Sequence, residues 1–352
     1  MSSKASKSKV SSVVMSDVID DTKRQKKRFQ KKTPIQHVMD RPDTYVGSIQ
    51  TTKGKHFVLA AGGKKIDEKE ISVNQALLKI ADEVFVNAAD QVFRVPQLKK
   101  KAKELGEKRT YQNVKNIWVT LEPDHIIVRN DGSGIPVLQN EDKVWIPQRI
   151  FGELFTSENY DDEDEDRTTG GMNGIGVKLT NILSTEFRLR TRDSYKRKVY
   201  EQIWRNNMSE VQTPAIWSGS HTFDGDKKAF VGTEIMFKPD FKFFKVRTRK
   251  FTKDMMALLK RRVYDIAAVT PSNVTVHLNG KAISIKTLKD YASMFQSGMD
   301  EDSEMVGDSP NDRWEYLVLL NDVHHDVFRQ VSFVNCINTN HGGTHVTYVL
   351  NN

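Results

Sequence analysis

The sequence predicts an α+β fold from three observations. Apolar residues recur at helical spacing between Gln75 and Gln91. Two runs of β-branched residues, at 116–121 and 125–130, flank a Glu-Pro-Asp turn, and glycines cluster at 170–176. A period near 3.6 indicates a helix, whereas short β-branched runs separated by turn residues indicate a hairpin. The glycine cluster after these elements indicates a loop with a special backbone.

Length and charge limit the class of protein. The chain has 352 residues, which suggests about two domains. It carries 54 basic and 46 acidic residues, for a formal net charge of +8. This balance fits a polyanionic partner such as nucleic acid, although basic side chains also serve solubility. A single cysteine, Cys336, excludes an intrachain disulfide, and no apolar run approaches the ~20 residues that cross a bilayer. We therefore expect a soluble intracellular protein.

The first predicted domain follows a polar arm. Residues 1–30 end in the basic run Lys23-Arg24-Gln25-Lys26-Lys27-Arg28 and are predicted to form a disordered basic arm. After the hairpin, strands are expected at 186–190 and 233–237, and an amphipathic helix at 253–267. The acidic stretch 160–166 is interpreted as a solvated loop. These elements predict one α+β domain over residues 31–270.

A composition change at Thr270-Pro271-Ser272-Asn273 predicts a second domain over residues 271–352. A strand at 274–278 precedes the turn Asn279-Gly280, and further strands are expected at 314–320 and 330–334. The segment 298–312 is acidic and rich in Gly, Ser and Pro, and is interpreted as a loop.

The predicted helix carries polar residues suited to nucleotide chemistry. Glu83, Asn87 and Asp90 are spaced i, i+4 and i+7, so they share one helix face. Magnesium prefers oxygen ligands and keeps several waters, so Asn87 is a candidate ligand beside nucleotide phosphates. Glu83 is then a candidate general base for a water aimed at the γ-phosphate. The alternative is that both side chains are simply solvent-facing.

The glycine cluster is a candidate phosphate loop. Four glycines in seven residues, Gly170, Gly171, Gly174 and Gly176, are costly unless the backbone needs their freedom. Backbone amides of such a loop form an anion-binding nest, and a helix start at Val177-Lys178 adds a positive dipole end. The spacing fits neither a P-loop nor a dinucleotide fingerprint. Asp131, in a Gly-flanked turn, is a candidate acceptor for an adenine amino group, or a plain type I turn residue.

The order of these motifs, ending in Gly232-Thr233, resembles the Bergerat ATP-binding fold shared by gyrase, the Hsp90 chaperone, histidine kinases and MutL, the GHKL superfamily. The resemblance extends to the N-terminal region of eukaryotic type IIA DNA topoisomerase from about residue 29 to the last residue. The blocks that carry it are 41–48, 151–157, 204–208, 261–266 and 342–346.

The resemblance implies a GHKL sandwich followed by the start of a ribosomal-S5-like transducer domain. It implies an ATP-binding and hydrolysing entrance gate that closes by homodimerisation and captures double-stranded DNA, in the nucleus, with ATP and Mg²⁺ as cofactors. Glu83 matches the general base and Asn87 the magnesium ligand, while Asp131 matches the adenine-reading residue with Thr233 helping through water. The matched ribose and phosphate contacts are Asn130, Ser157, Glu158 and Asn159, and the triphosphate cradle is Gly171, Met172, Asn173, Gly174, Ile175, Gly176, Val177 and Lys178.

Several positions depart from the family pattern. Phe29 stands where the family usually has a strap tyrosine, Gln91 replaces a common Asn, and Met172 replaces a common Arg. The chain has no Gln-Thr-Lys tripeptide, which in the family carries the transducer lysine that touches the γ-phosphate. It also lacks the acidic metal-binding cleavage domain and the DNA-linking tyrosine domain that the resemblance implies, so we expect a fragment that does not cleave DNA by itself. Two alternatives stay open: an ATP-sensing, DNA-contacting module with little hydrolysis, and another GHKL ATPase such as a chaperone or mismatch-repair protein. Candidate DNA contacts, or solvated faces, are Lys245, Arg247, Arg249, Lys250 and residues 260–262.

Overall fold

The computed structural model describes residues 32–154, 174–295, 305–311, 313–319 and 328–351. The helices are α1 (Pro34–Asp40), α2 (Asp43–Val46), α3 (Gln75–Glu104), α4 (Ile146–Gly152), α5 (Gly176–Ile182), α6 (Lys253–Val269), α7 (Leu288–Ser293) and α8 (Thr344–Asn351). The strands are β1 (Thr51–Leu59), β2 (Ile66–Asn74), β3 (Asn116–Leu121), β4 (Ile126–Asn130), β5 (Ser184–Asp193), β6 (Lys198–Arg205), β7 (Glu210–Val211), β8 (Ala215–Ser218), β9 (Thr233–Pro239), β10 (Thr275–Leu278), β11 (Lys281–Ala282), β12 (Met305–Asn311), β13 (Trp314–Leu319), β14 (Phe333–Val334) and β15 (Ile337–Asn338).

A nine-stranded sheet forms the centre of the described chain. Its order is β11-β10-β3-β4-β9-β5-β6-β7, with β8 also paired to β6. The predicted hairpin is confirmed, because β3 and β4 pair antiparallel with Ile117 opposite Asn130. Buried and partly exposed residues alternate along both strands. Side chains alternate between the faces of a strand, so one face of the sheet packs into the core and the other lies towards solvent.

The helix predicted at 75–91 is confirmed and is longer than predicted. Its apolar residues are buried, and the buried stripe continues past Gln91 through Val92, Val95 and Ala102. The helix therefore runs on through Pro96 to Glu104. It is capped by Asn74, whose side-chain oxygen accepts from the backbone amide of Leu77 at 2.9 Å. Such a cap satisfies a backbone donor that lacks an intrahelical partner.

The strand predicted at 274–278 lies in the main sheet. β10 runs parallel to β3, with Val276 beside Ile117. The predicted turn after it is confirmed, since Asn279 and Gly280 have φ of 48° and 78° and β11 returns antiparallel. The boundary at residues 270 and 271 stays a prediction, but this pairing favours a boundary beyond residue 282.

Other elements agree with the sequence in part. The strands expected at 186–190 and 233–237 and the helix at 253–267 are present as β5, β9 and α6. The loop prediction for 298–312 is wrong over Met305–Asn311, which pairs with β13 as β12. A two-stranded ribbon tolerates Pro310 because the register shifts between Asp308 and Asn311. In the stretch 330–334, only Phe333–Val334 forms a strand.

Some predictions fall on residues that the structure does not describe. These are the basic arm with Phe29, the acidic stretch 160–166 and the first part of the glycine cluster. Among the helices described, none combines the length and apolar character needed to span a membrane.

Candidate nucleotide-binding site

The end of the glycine cluster lies directly against the Glu83 face of α3. α5 begins at Gly176, and the Thr180 hydroxyl donates to the backbone oxygen of Ile80 at 2.8 Å. A Cβ atom at Gly176 would overlap the Glu83 carboxylate. The close approach of these two elements thus requires glycine at this position. The two motifs, separated by almost a hundred residues of sequence, meet in space.

Glu83 is held by a second residue that the sequence analysis did not single out. Its Oε1 atom lies 2.5 Å from Nζ of Lys79, one turn earlier on α3. Burial disfavours the Lys79 cation, but the charge and hydrogen bond of Glu83, with the charge of Asp82, outweigh burial and raise the pKa of Lys79. The i, i+4 spacing was the available signal. The Glu83 side chain keeps 22% exposure, so its carboxylate is still reached by solvent.

Asn87 and Asp90 lie on the same face of α3 as Glu83 but differ in how deeply their side chains are buried. Asn87 is partly buried and makes no side-chain hydrogen bond within the described residues, so its amide oxygen is available to an external ligand. Asp90 is buried. Across the described ranges, no three His, Cys, Asp or Glu side chains cluster as a metal site. A side-chain amide oxygen such as that of Asn87 is the type of ligand that Mg²⁺ accepts beside nucleotide phosphates and waters.

Three polar side chains form a row across the sheet beneath α3. Asn130 on β4 pairs with Thr233 on β9, and Thr233 pairs with Thr191 on β5. The two threonine hydroxyls lie 2.9 Å apart. Strand alternation places this row on the same face as the buried residues Val128 and Ile235. Asn130 and Thr233, both predicted ligand contacts, are thus brought together on the helix side of the sheet.

The Asp131 side chain points away from this row, towards the start of β3. Its Oδ1 accepts from the backbone amides of Lys115 and Asn116 at 2.7 and 3.0 Å, and Oδ2 accepts from the Asn116 side chain at 2.9 Å. The Asn116 side chain also contacts His277, which stacks on Trp118 on the face of the sheet away from α3. Asp131 therefore ties the turn to β3. The geometry disfavours the predicted adenine contact of Asp131 and leaves Asn130 as the member of the pair that faces the helices.

Lys178 is the buried cation of the site. It lies in the first turn of α5 and is only 1% exposed. Burial lowers the pKa of its ammonium group to about 8, against an opposing effect of Glu153. Three predicted contacts lie next to Lys178 in the chain. Gly174 has a positive φ of 58°. Ile175 is the N-cap residue of α5 without a side-chain cap hydrogen bond, and Val177 is buried. The other predicted contacts, Ser157, Glu158, Asn159, Gly171, Met172 and Asn173, lie outside the described residues.

Comparisons with known proteins were consistent with one another. No protein-family profile matches the chain. The chain is 36% identical over 349 residues to DNA topoisomerase 2 of Candida glabrata. The matched region covers 94% of this chain and 23% of that protein. The chain thus spans less than a quarter of the length of this curated relative.

Solved structures extend the similarity to the fold. The ATPase region of Saccharomyces cerevisiae topoisomerase II superposes with a TM-score of 0.79 at 36% identity, covering 92% of this chain and 79% of that chain. The ATPase and transducer domains of Balamuthia mandrillaris DNA topoisomerase II also give 0.79 at 36% identity, covering 93% and 76%. These matches confirm the predicted GHKL sandwich followed by the start of a transducer domain. By its identity and fold, the chain belongs to the family of the topoisomerase II ATPase regions.

Proposed function

We propose that this chain binds Mg-ATP, hydrolyses it, and serves as the entrance gate of a type IIA DNA topoisomerase. The observation that carries the proposal is the contact between the Glu83 carboxylate and Gly176 at the start of α5. It joins a candidate base to a candidate phosphate loop. The relatives named above, described as topoisomerase II ATPase regions, support the same activity for this chain.

Glu83 is proposed to act on the water that attacks the γ-phosphate. One carboxylate oxygen is paired with Lys79, and the other lies against Gly176. The oxygen beside the glycine is suited to accept the proton of a water held at the phosphate end of the loop. The ion pair with Lys79 holds the Glu83 carboxylate in this orientation.

The phosphates are proposed to lie at the start of α5. Amides of the first turn and the Lys178 ammonium group would offset the phosphate charge. Asn87 would hold the magnesium ion, which when bound neutralises phosphate charge. At the base end, Asn130 and Thr233 are the proposed contacts, and Asp131 is retained only as the competing assignment.

The proposed gate function involves two partners, a second copy of the chain and a DNA duplex. ATP binding is proposed to drive homodimerisation, and the closed dimer would trap a DNA duplex in the nucleus. The net charge of +8 is compatible with a DNA partner. The second candidate is an ATP-sensing, DNA-contacting module that uses the same nucleotide site with little hydrolysis.

Sedimentation velocity with and without nucleotide tests the proposal. The native chain should dimerise with a non-hydrolysable ATP analogue and Mg²⁺. Glu83→Gln should stay dimeric in ATP itself because it binds without turnover, and Asn87→Ala should stay monomeric. A native chain that binds and hydrolyses ATP but stays monomeric would refute the gate. A dimeric native chain with no turnover would favour the ATP-sensing module.

A further inference from the structure

We propose that the loop over residues 240–252, here called the basic loop, is a contact surface for the phosphate backbone of duplex DNA. The inference rests on the proposed function and adds a location to it. Residues 238–253 contain seven basic side chains and one acidic one, Asp240. Basic side chains thus exceed acidic ones by six in this short segment at the end of β9.

Buried aromatic residues anchor the basic loop to the body of the protein. Phe241, Phe244 and Phe251 are buried, and the rings of Phe241 and Phe251 pack edge to face with centroids 5.1 Å apart. The Phe251 amide donates to Pro123 at 2.8 Å. The Phe244 carbonyl accepts from the Asn74 side chain at 3.1 Å. The loop is thus anchored to the body of the protein by three buried aromatic side chains.

Hydrogen bonds within the basic loop use its one carboxylate. Asp240 accepts from the amides of Lys242 and Phe243, both at 3.1 Å. Lys245 and Arg249 have φ of 57° and 52°, the left-handed conformation of tight turns. Asp240 thus shapes the turn and forms no ion pair with the basic side chains around it within the described residues.

The basic side chains of the loop point to solvent without acidic partners. Five are exposed and form no ion pair within the described part of the chain: Lys242, Lys245, Arg247, Arg249 and Lys250. Nearby acidic groups are already engaged. Asp124 pairs with Lys238 at 2.6 Å, and Asp254 accepts from the amide of Ser72 at 3.0 Å. An anchored loop that presents five cations without acidic partners is suited to contact a polyanion.

The arrangement favours duplex DNA over a single strand. Proteins that bind single strands stack bases on exposed aromatic rings. The rings of Phe241, Phe244 and Phe251 are buried, so the loop offers charge with little stacking surface. Duplex DNA presents one phosphate charge per about 1.7 Å of axis, which suits a dense cluster of Lys and Arg.

The basic loop is separate from the proposed nucleotide site. β9 begins at Thr233 beside the pocket and ends at Pro239 next to the loop, with seven residues between the two ends inclusive. A strand of that length spans about 20 Å. Substitutions in the loop should therefore leave nucleotide binding unchanged.

Fluorescence anisotropy with a labelled duplex over a salt series tests this proposal. The loop variant changes Lys242, Lys245, Arg247, Arg249 and Lys250 to Gln. The matched control changes five exposed lysines at the end of α3 and just after it, namely Lys99, Lys100, Lys101, Lys103 and Lys108, to Gln. Both variants lose the same charge. Melting temperature and calorimetric binding of an ATP analogue establish that each variant is folded.

We expect the loop variant to lose at least about tenfold in duplex affinity. The slope of log affinity against log salt concentration should become shallower by up to about 4, since each phosphate contact contributes about 0.9 to that slope. The control should lose far less. Equal losses in both variants would overturn the proposal by assigning binding to net charge. Undiminished duplex binding by the loop variant, or a loss confined to anionic phospholipid vesicles, would also overturn it. If the native chain binds no nucleotide yet the loop variant alone loses duplex binding, the proposed function fails and this inference stands.

Discussion

At the scale of single residues, the site depends on how closely Gly176 approaches Glu83. Gly176→Ala would drive a methyl group into the Glu83 carboxylate. Displacement of a catalytic group by about 1 Å can cost about 100-fold in rate. We expect ATP turnover to fall by about that factor while the fold is kept. Gly54→Ala is the control, because its nearest neighbour would lie 3.6 Å away. Steady-state turnover of both variants checks this, and an unimpaired Gly176→Ala would separate Glu83 from the chemistry.

The buried ammonium group of Lys178 predicts a pH dependence of nucleotide binding. Burial lowers its pKa in the folded protein to about 8, from the 10.5 of an ordinary lysine. Between these values the folded chain binds fewer protons than the unfolded chain, so this group adds stability as pH rises through that window. Phosphates require the charged form, so affinity should fall as pH rises above about 8, by at most tenfold per pH unit. Calorimetry across this range, with Lys178→Met as the pH-insensitive control, checks the prediction.

Asn130 and Asp131 are neighbours with different expected roles. Asn130→Ala should weaken binding of an ATP analogue by about tenfold or more, because a buried polar contact is worth about 1–3 kcal/mol. Asp131→Ala should instead lower the melting temperature, since it removes three hydrogen bonds to Lys115 and Asn116. Paired calorimetry and thermal unfolding measure both. Loss of nucleotide binding in Asp131→Ala alone, at unchanged stability, would restore the original adenine assignment.

At the scale of elements, Asn74 connects the start of α3 to its surroundings. Besides capping the helix, its Nδ2 donates to the carbonyl oxygens of Ile49 and Phe244 at 2.7 and 3.1 Å. Asn74→Ala would leave these buried groups without their partner and remove the cap. We expect a loss of about 2–4 kcal/mol in the free energy of unfolding, measured by denaturant titration. Asn74→Asp keeps the cap alone and should recover part of the loss; a loss below about 1 kcal/mol in Asn74→Ala would contradict this account.

The elements also show what local sequence patterns can predict. The helix around Glu83 and the β3–β4 hairpin follow from periodicity within one segment. The parallel pairing of β10 with β3 joins segments far apart in sequence, and no local pattern specifies it. The orientation of Asp131 could have been predicted from the sequence, because side chains alternate between the faces of a strand. Alternation along β4 assigns Asn130 to the buried face and its neighbour Asp131 to the opposite face. The motif alone favoured Asp131 as the adenine contact, whereas the strand geometry favours Asn130.

At the scale of the whole molecule, a buried charge network joins α3 and α6 to the segment around Cys336. Arg262 pairs with Asp82 at 2.5 Å, lies 3.5 Å from Asp265, and donates to the Cys336 carbonyl at 2.7 Å. Burial disfavours its charge, but Asp82 and Asp265 outweigh that effect and raise the pKa of Arg262. Asp82 precedes Glu83, so the network reaches the residue next to the proposed base.

Removing the central cation of this network should destabilise the whole fold. Arg262→Met leaves the Asp82 carboxylate without its ion-pair partner, while Asp265 keeps Arg261 at 2.9 Å. Removing one partner of a buried pair typically costs about 3–5 kcal/mol. Denaturant unfolding measures the loss. The exposed substitution Lys253→Met is the control and should change stability by no more than about 0.5 kcal/mol. Equal stability of the two variants would show that the network does not join these parts of the chain.

The most direct test of the central claim is calorimetric binding of a non-hydrolysable ATP analogue, with and without Mg²⁺, to the native chain and to Asn87→Ala. We expect binding to the native chain that strengthens with Mg²⁺, and a loss of this strengthening in Asn87→Ala. Failure of the folded native chain to bind the analogue, or equal Mg²⁺ dependence in both proteins, would contradict the assignment of the site on α3 and α5.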